Sequence, residues 1–314
     1  MYAAGPPPGT DTERHGAPRV TRAARRVFDE VSDLAFDPML RVYLRDMVRP
    51  YGLPLRDDLL EHGAGQSYGE MAERVIGDLV SVDEPVDLVV LAFGIHDIRL
   101  GRATACYLAD VCPGDPMAFA VCEQGSAGAF TALRLIGEYG RAGAANRALL
   151  VVPEQSALHY EPASPVELPV QHTAVALLLE ASPVGHPQPI VVRQHADVSP
   201  RLAGALLADD VAALSAGRSD VTLVLGGGLA QFGHTYLADD TVLAPPGMPY
   251  TGPWWELAGG LDQWRAGGRL VLLAEYERAL GYLSLSAVDL GAGVATVPAG
   301  GASRPTRVPG RQWT

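Results

Sequence analysis

Met117-Ala-Phe-Ala-Val-Cys-Glu-Gln-Gly-Ser-Ala-Gly-Ala-Phe-Thr-Ala-Leu133 is the stretch from which the fold is read. It is apolar and strand-like up to Cys122, turns tightly at Gly125, and opens a helix of small residues at Ser126 or just after it. A side chain placed there sits at a helix N-terminus, where free N–H groups and the helix dipole favour a developing negative charge. Such a position suits a nucleophile and its oxyanion. The same residues admit a structural reading, because serine is among the best helix N-caps and glycines beside it permit close packing.

Outward from this stretch, short apolar runs alternate with helical periodicity. Strands are expected at 86–91, 118–122, 148–152, 174–179, 190–193, 222–225, 270–274 and 282–288. Helices are expected at 19–33, 38–49, 67–81, 102–111, 126–140, 200–215 and 253–265, with Ser67 and Glu70 forming a capping box. This alternation predicts a layered α/β fold. An internal echo extends it. Asp87-Leu-Val-Val-Leu-Ala-Phe-Gly94 recurs as Val221-Thr-Leu-Val-Leu-Gly-Gly-Gly228, and Arg147-Ala-Leu-Leu-Val-Val-Pro-Glu154 as Arg269-Leu-Val-Leu-Leu-Ala-Glu275. Each later member is followed by one more strand, which suggests a duplicated unit. The expected organisation is a loose arm at 1–17, one half at 18–182, a second at 183–290, and a tail at 291–314.

Composition removes several chemistries. Of 314 residues none is lysine, so all 24 basic residues are arginine, and Asn146 is the single asparagine. Schiff-base lysine chemistry and a lysine-bearing P-loop are excluded. The net charge of −12 disfavours nucleic acid as a partner. Arg19, Arg22, Arg25, Arg26, Arg41, Arg45 and Arg49 concentrate locally, as a solvated helical face or as a dock for an acidic carrier or phosphate. No run of 18 apolar residues is present and no membrane partner is expected. Cys106, Cys112 and Cys122 sit in apolar sequence and are expected to be reduced, buried thiols of a cytoplasmic protein. Their spacing holds no zinc set, so neither a metal nor a bound cofactor is expected.

In Asp87–Gly94, Gly101-Arg-Ala-Thr-Ala-Cys-Tyr-Leu108, the 118–133 segment, Arg147–Glu154 and the 268–274 run, the chain resembles the thiolase superfamily, in its ketoacyl-ACP synthase III branch. The resemblance covers roughly residues 87 to 289. It implies a thiolase-like duplicated five-layer αβαβα fold. It also implies a nucleophile at Ser126, counted back from Gly128 and Leu133, with serine in place of the family's cysteine. Gly125 and Ser126 would then supply the oxyanion donors. The partners implied are an acyl carrier protein or acyl-CoA thioester, and either a second copy of the chain or a ketosynthase as dimer mate. The rest of the family's triad has no counterpart. Where a His-Gln-Ala-Asn run is expected the chain has Gly226-Gly-Gly-Leu-Ala-Gln-Phe-Gly233, and where Gly-Asn is expected, Tyr250-Thr251-Gly252. The late glycine-rich turn is replaced by Glu275-Tyr276-Glu277-Arg278.

A serine hydroxyl needs a base within hydrogen-bond reach. His172 is the first candidate, His234 the second and His96 the third, with Glu275 as an orienting carboxylate. His15, His62, His159, His186 and His195 are read as surface residues, and Trp254, Trp255 and Trp264 as core. The expected function is acyl transfer from a carrier-protein or coenzyme A thioester through Ser126 to an acceptor, or priming of a polyketide chain. Two other readings stand beside it. A register two residues earlier places Gln124 at the nucleophile position, as in non-catalytic chain-length factors that partner an active ketosynthase. Gln124-Gly-Ser-Ala-Gly128 also misses a serine-hydrolase elbow by one residue.

Overall fold

The computed structural model describes residues 17–99, 101–163, 166–182, 190–215, 217–232 and 237–291. Almost all of the expected arm and tail, and the expected boundary at 182/183, lie outside or at the margin of these residues.

The first half contains β1 (Pro18–Val27), α1 (Pro38–Val48), α2 (Asp57–Glu61), α3 (Tyr68–Gly77), β2 (Leu88–Ala92), α4 (Thr104–Val111), β3 (Met117–Val121), α5 (Gly128–Arg141), β4 (Arg147–Glu154) and β5 (Thr173–Ala181). The second contains β6 (Ile190–His195), α6 (Pro200–Ser215), β7 (Val221–Leu225), β8 (Asp240–Leu243), α7 (Gly252–Ala266), β9 (Leu270–Glu277) and β10 (Tyr282–Asp289). The two sheets run β1-β5-β4-β2-β3 and β6-β10-β9-β7-β8. Adding five to each label of the first order gives the second. Parallel and antiparallel pairings match strand for strand. The duplication read from the sequence echo is therefore a duplication of topology.

Side-chain alternation along the buried strands builds five layers. On β2 and β4, Val89, Leu91, Leu149 and Val151 face Tyr68, Met71, Val75 and Leu108 of the outer helices α3 and α4. The intervening Val90, Leu150 and Val152 face a central layer made by Phe130, Leu133 and Ile136 of α5 with Trp254, Leu257 and Leu261 of α7. Val224, Val271 and Leu273 of the second sheet close that layer from the other side. The remaining face of the second sheet, with Leu223, Leu272 and Leu285, packs on Ala203, Leu207 and Val211 of α6. Both sheets are buried on both faces, which is why their strands read as continuous apolar runs.

Three expectations are corrected here. Residues 19–27 form a strand, not the start of a helix. The pairing of β1 with β5 shifts between Val20 and Arg22. That bulge puts Val20 and Ala23, three residues apart, against the same central core and imitates helical spacing. The arginines of this strand are engaged within the chain: Arg22 pairs with Glu84 at 2.8 Å, Arg26 with Asp78 at 2.9 Å, and Arg25 lies 4.8 Å over the Trp255 ring. Second, Ser67 occupies the N-cap of α3 without capping through its side chain. Its hydroxyl accepts from Arg102 at 3.1 Å, and Asp97 Oδ1 accepts from the Tyr68 N–H instead. Third, only Cys112 of the three thiols is buried. Cys106 and Cys122 are exposed, Cys122 because it follows β3, the outermost strand of its sheet.

Candidate functional site

After Val121 the chain reverses through Glu123 and Gly125, both at positive φ (62° and 52°), and enters a single 3-10 turn, Gly125–Ala127, before α5. This is the strand–turn–helix expected from the sequence. A methyl group on Gly125 would stand 2.2 Å from the Glu277 carboxylate, so a larger residue there would displace Glu277 as well as strain the backbone. Ser126 is 6% exposed at the floor of a cleft of about 340 Å³ between the two halves.

Glu277 decides the chemistry of this floor, and the sequence reading assigned it no role. Its Oε2 accepts from the Ser126 N–H at 2.9 Å and from the Ser126 hydroxyl at 3.2 Å. The carboxylate therefore lies where a base for the serine must lie, and on the N–H assigned to the oxyanion. The Ser126 N–H, one of the two expected oxyanion donors, is therefore occupied by Glu277 in this structure.

Glu275, expected to orient a histidine, has another setting. Residues 275 and 277 of β9 lie on one face of the strand while Tyr276 between them enters the α6-side core. Glu275 is 3% exposed and lines the cleft. Its Oε1 accepts from the N–H groups of Gly228 (2.9 Å) and Tyr276 (2.8 Å), whereas Oε2 has no partner among the described residues. A methyl group on Gly226 would come within 1.7 Å of Oε2, and one on Gly228 within 2.0 Å of the Tyr276 carbonyl oxygen. The glycine run after β7 is thus the space that the Glu275 carboxyl fills.

Burial, reinforced by the nearby carboxylates Glu277 and Glu167, pushes the Glu275 carboxyl up to about 8 from its ordinary value of 4.5. Between those values the folded protein keeps a proton that the unfolded chain has released, so this group's contribution to stability is complete below pH 4.5 and is lost as pH rises through 8. Glu275→Gln is therefore expected to flatten the decline in denaturant midpoint over that interval. An unchanged pH profile would show that Glu275 is not buried as described.

Among the described residues no histidine is hydrogen-bonded to Ser126. His172 Nδ1 accepts from the Ser156 N–H at 3.2 Å, its carbonyl accepts from Phe28, and its side chain does not line the cleft. Burial lowers its pKa. It stands just before β5, two residues before Ala174, whose side chain packs on the α3 side of the sheet. His234 lies outside the described residues, as do His15 and His186. His96 is more than half exposed, 3.7 Å from Glu123 at the cleft rim. His159, expected on the surface, is 4% exposed and bonds the Ala64 carbonyl at 2.8 Å, while His195 bonds Asp210 at 2.6 Å. Gln124 accepts from Thr131 of α5 at 2.6 Å and is not a cleft residue, so the position facing the cleft is Ser126. Among the described residues no group of three or more His, Cys, Asp or Glu side chains could hold a metal ion.

The duplication carries this arrangement twice. Glu154 and Glu277 are the last residues of β4 and β9, paired with the first residues of β5 and β10. Glu154 reaches the start of α7, accepting from the N–H groups of Tyr250 (2.9 Å) and Thr251 (3.0 Å) and from the hydroxyls of Thr251 (2.6 Å) and Thr173 (2.9 Å). Glu277 reaches the start of α5 in the same way. The Glu154 clasp is sealed, with Glu154 and Thr251 both at 0% exposure; the Glu277 clasp opens on the cleft.

No family model and no curated protein matches the chain. Solved structures do. The tetronic acid condensing enzyme AbyA1 superposes with a TM-score of 0.59 at 19% identity, covering 87% of this chain and 99% of that one. The 3-oxoacyl-(acyl carrier protein) synthase III of Pseudomonas aeruginosa PAO1 gives 0.55 at 18%, covering 87% and 98%. The acyltransferase ChlB3 gives 0.55 at 16%, covering 87% and 97%. At these identities the likeness shows the fold: thiolase-like α/β, as expected from the sequence.

Proposed function

We propose that this protein is a ketosynthase III-like acyltransferase that carries an acyl group on Ser126, with serine in place of the cysteine of the family it resembles. One observation carries the reading: the Ser126 hydroxyl donates to the Glu277 carboxylate at 3.2 Å, at the floor of a cleft and at the entry to α5. Glu277 takes the hydroxyl proton as Oγ attacks a thioester carbonyl, and the proton passes to the departing thiolate. As Glu277 withdraws, the Ser126 N–H becomes the oxyanion donor. The thioester is that of an acyl carrier protein or coenzyme A, in keeping with the condensing and acyl-transferring enzymes that share the fold. A dimer through β3 fits this reading, since β3 is an outermost strand with Met117 54% exposed.

A second reading, a non-catalytic partner of an active ketosynthase, is favoured by the Glu154–Thr251 clasp, which has the same construction and no cleft. The test is intact-mass analysis after incubation with acyl-CoA and acyl-N-acetylcysteamine thioesters. Wild type and Cys122→Ala are expected to gain one acyl group and Ser126→Ala none. An adduct that survives Ser126→Ala, or none with any thioester, overturns the acyl-transfer reading.

A further inference from the structure

Among the described residues the cleft beside Ser126 is lined by Glu123, Glu167, Glu275 and Glu277, against one cation, Arg278. Arg278 is exposed and turned onto the Gly228 carbonyl at 3.3 Å. Glu123 and Glu167 are exposed rim residues, and Glu277 is engaged with Ser126. Glu275 is left over. It is almost fully buried, with one oxygen bonded to two N–H groups and the other unpartnered among the described residues. An unsatisfied buried polar atom costs stability, more when charged. Here the cost persists together with glycines at 226 and 228 that reserve the room for it. Below pH 8 this oxygen carries the Glu275 proton, and a cation that displaces that proton supplies the partner the oxygen lacks.

The charge around it selects among acceptors. A malonyl carboxylate or a phosphate would bring a like charge against these carboxylates. A thiol or alcohol brings no charge and a single donor. An alkylammonium brings the opposite charge and three N–H donors. Resting on the Ser126 reading above, we propose that the acceptor is a primary aliphatic amine, bound through an N–H donated to Glu275 Oε2, and that the product is an amide.

The step balances without a further reagent. Below pH 8 Glu275 gives its proton to water as the ammonium pairs with it; the ammonium then gives one proton to the Glu275 carboxylate, and the freed lone pair forms a bond to the acyl carbon on Ser126. The acyl carbon–Oγ bond breaks as the second N–H proton passes by way of Glu277 to Oγ. Amide, free Ser126 and protonated Glu275 result, and protonated Glu275 is the resting form below pH 8. The raised pKa of Glu275, about 8, brings it towards the ~10.4 of an alkylammonium, so the first transfer is only moderately uphill.

Ser126→Ala cannot be acylated and so separates binding from chemistry. n-Butylammonium, n-butanol and butyrate are titrated into it and followed by NMR shift changes. Butylammonium is expected to bind about ten-fold or more tightly than butanol, with butyrate not binding. Glu275→Gln in the same background should abolish the preference, and Glu167→Gln at the rim should only weaken it. Equal binding of butylammonium and butanol, or a preference that survives Glu275→Gln in a folded variant, overturns the proposal. With acylated wild type, n-butylamine should discharge Ser126 to N-butylamide faster than N-acetylcysteamine does. If the thiol is faster, the amine assignment falls while Ser126 acylation stands. If no adduct forms but Glu275-dependent ammonium binding remains, the acyl-transfer reading falls and the cation site stands.

Discussion

Glu277→Gln is expected to slow acylation of Ser126 by about 10²- to 10⁴-fold while leaving the fold and the position of the serine intact. The amide oxygen of glutamine can still accept from the Ser126 N–H at the 2.9 Å separation of the native contact. It cannot take a proton from the hydroxyl. The variant therefore keeps the clasp and removes the base. Initial rates of adduct formation, read by intact mass against wild type, measure the effect. A rate within about three-fold of wild type would make Glu277 a clasp only, equivalent to Glu154, and would return the base to a residue elsewhere. Glu277→Ala is the less discriminating variant, because it also uncovers the Ser126 N–H as an oxyanion donor and so mixes a loss with a gain.

Trp254→Ala is expected to lower global stability by about 3–5 kcal/mol, read as a fall in denaturant midpoint at constant slope. Trp254 is fully buried in the central layer, with its ring 4.9 Å from that of Phe130 at 58°. This contact joins α7 to α5, the pair of helices on which both sheets pack. Trp254→Phe should be far milder. Trp254 Nε1 has no partner among the described residues, so exchange for a smaller aromatic gives up packing but no hydrogen bond. If both variants fall equally, the indole N–H has a partner outside the described residues. If Trp254→Ala is tolerated, the central layer does not carry the stability assigned to it.

Much of this fold was legible because the sheets are buried on both faces. Continuous apolar runs such as Leu88–Ala92 and Val221–Leu225 announce themselves without tertiary information. What escaped was local irregularity. The bulge after Val20 turned a strand into an apparent helix, and β8, a four-residue outer strand, has too few inward residues to leave a pattern. At the site, Ser126 was legible from the strand–Gly–helix spacing. Glu277 was not, because its meaning depends on a partner 151 residues away. The replacement of a glycine-rich turn by Glu275-Tyr276-Glu277 was a usable signal: two acids at strand period two face one way, so both, and not Glu275 alone, were candidates.

The histidine assignments show the same limit from the other side. His172 is the first candidate by its place in sequence, and a strand pairing that sequence does not reveal holds it against Ser156. The chain by itself determined the duplicated α/β architecture, the strand–turn–helix that carries Ser126, and, through its missing lysines and single asparagine, the chemistries it cannot use. These are properties of composition and of short-range period. Only the tertiary structure decided which groups meet Ser126, because Glu277, the carboxylate it bonds, comes from the other half of the duplication. The close of β9 against the entry of α5 is a distance in space that no spacing along the chain encodes.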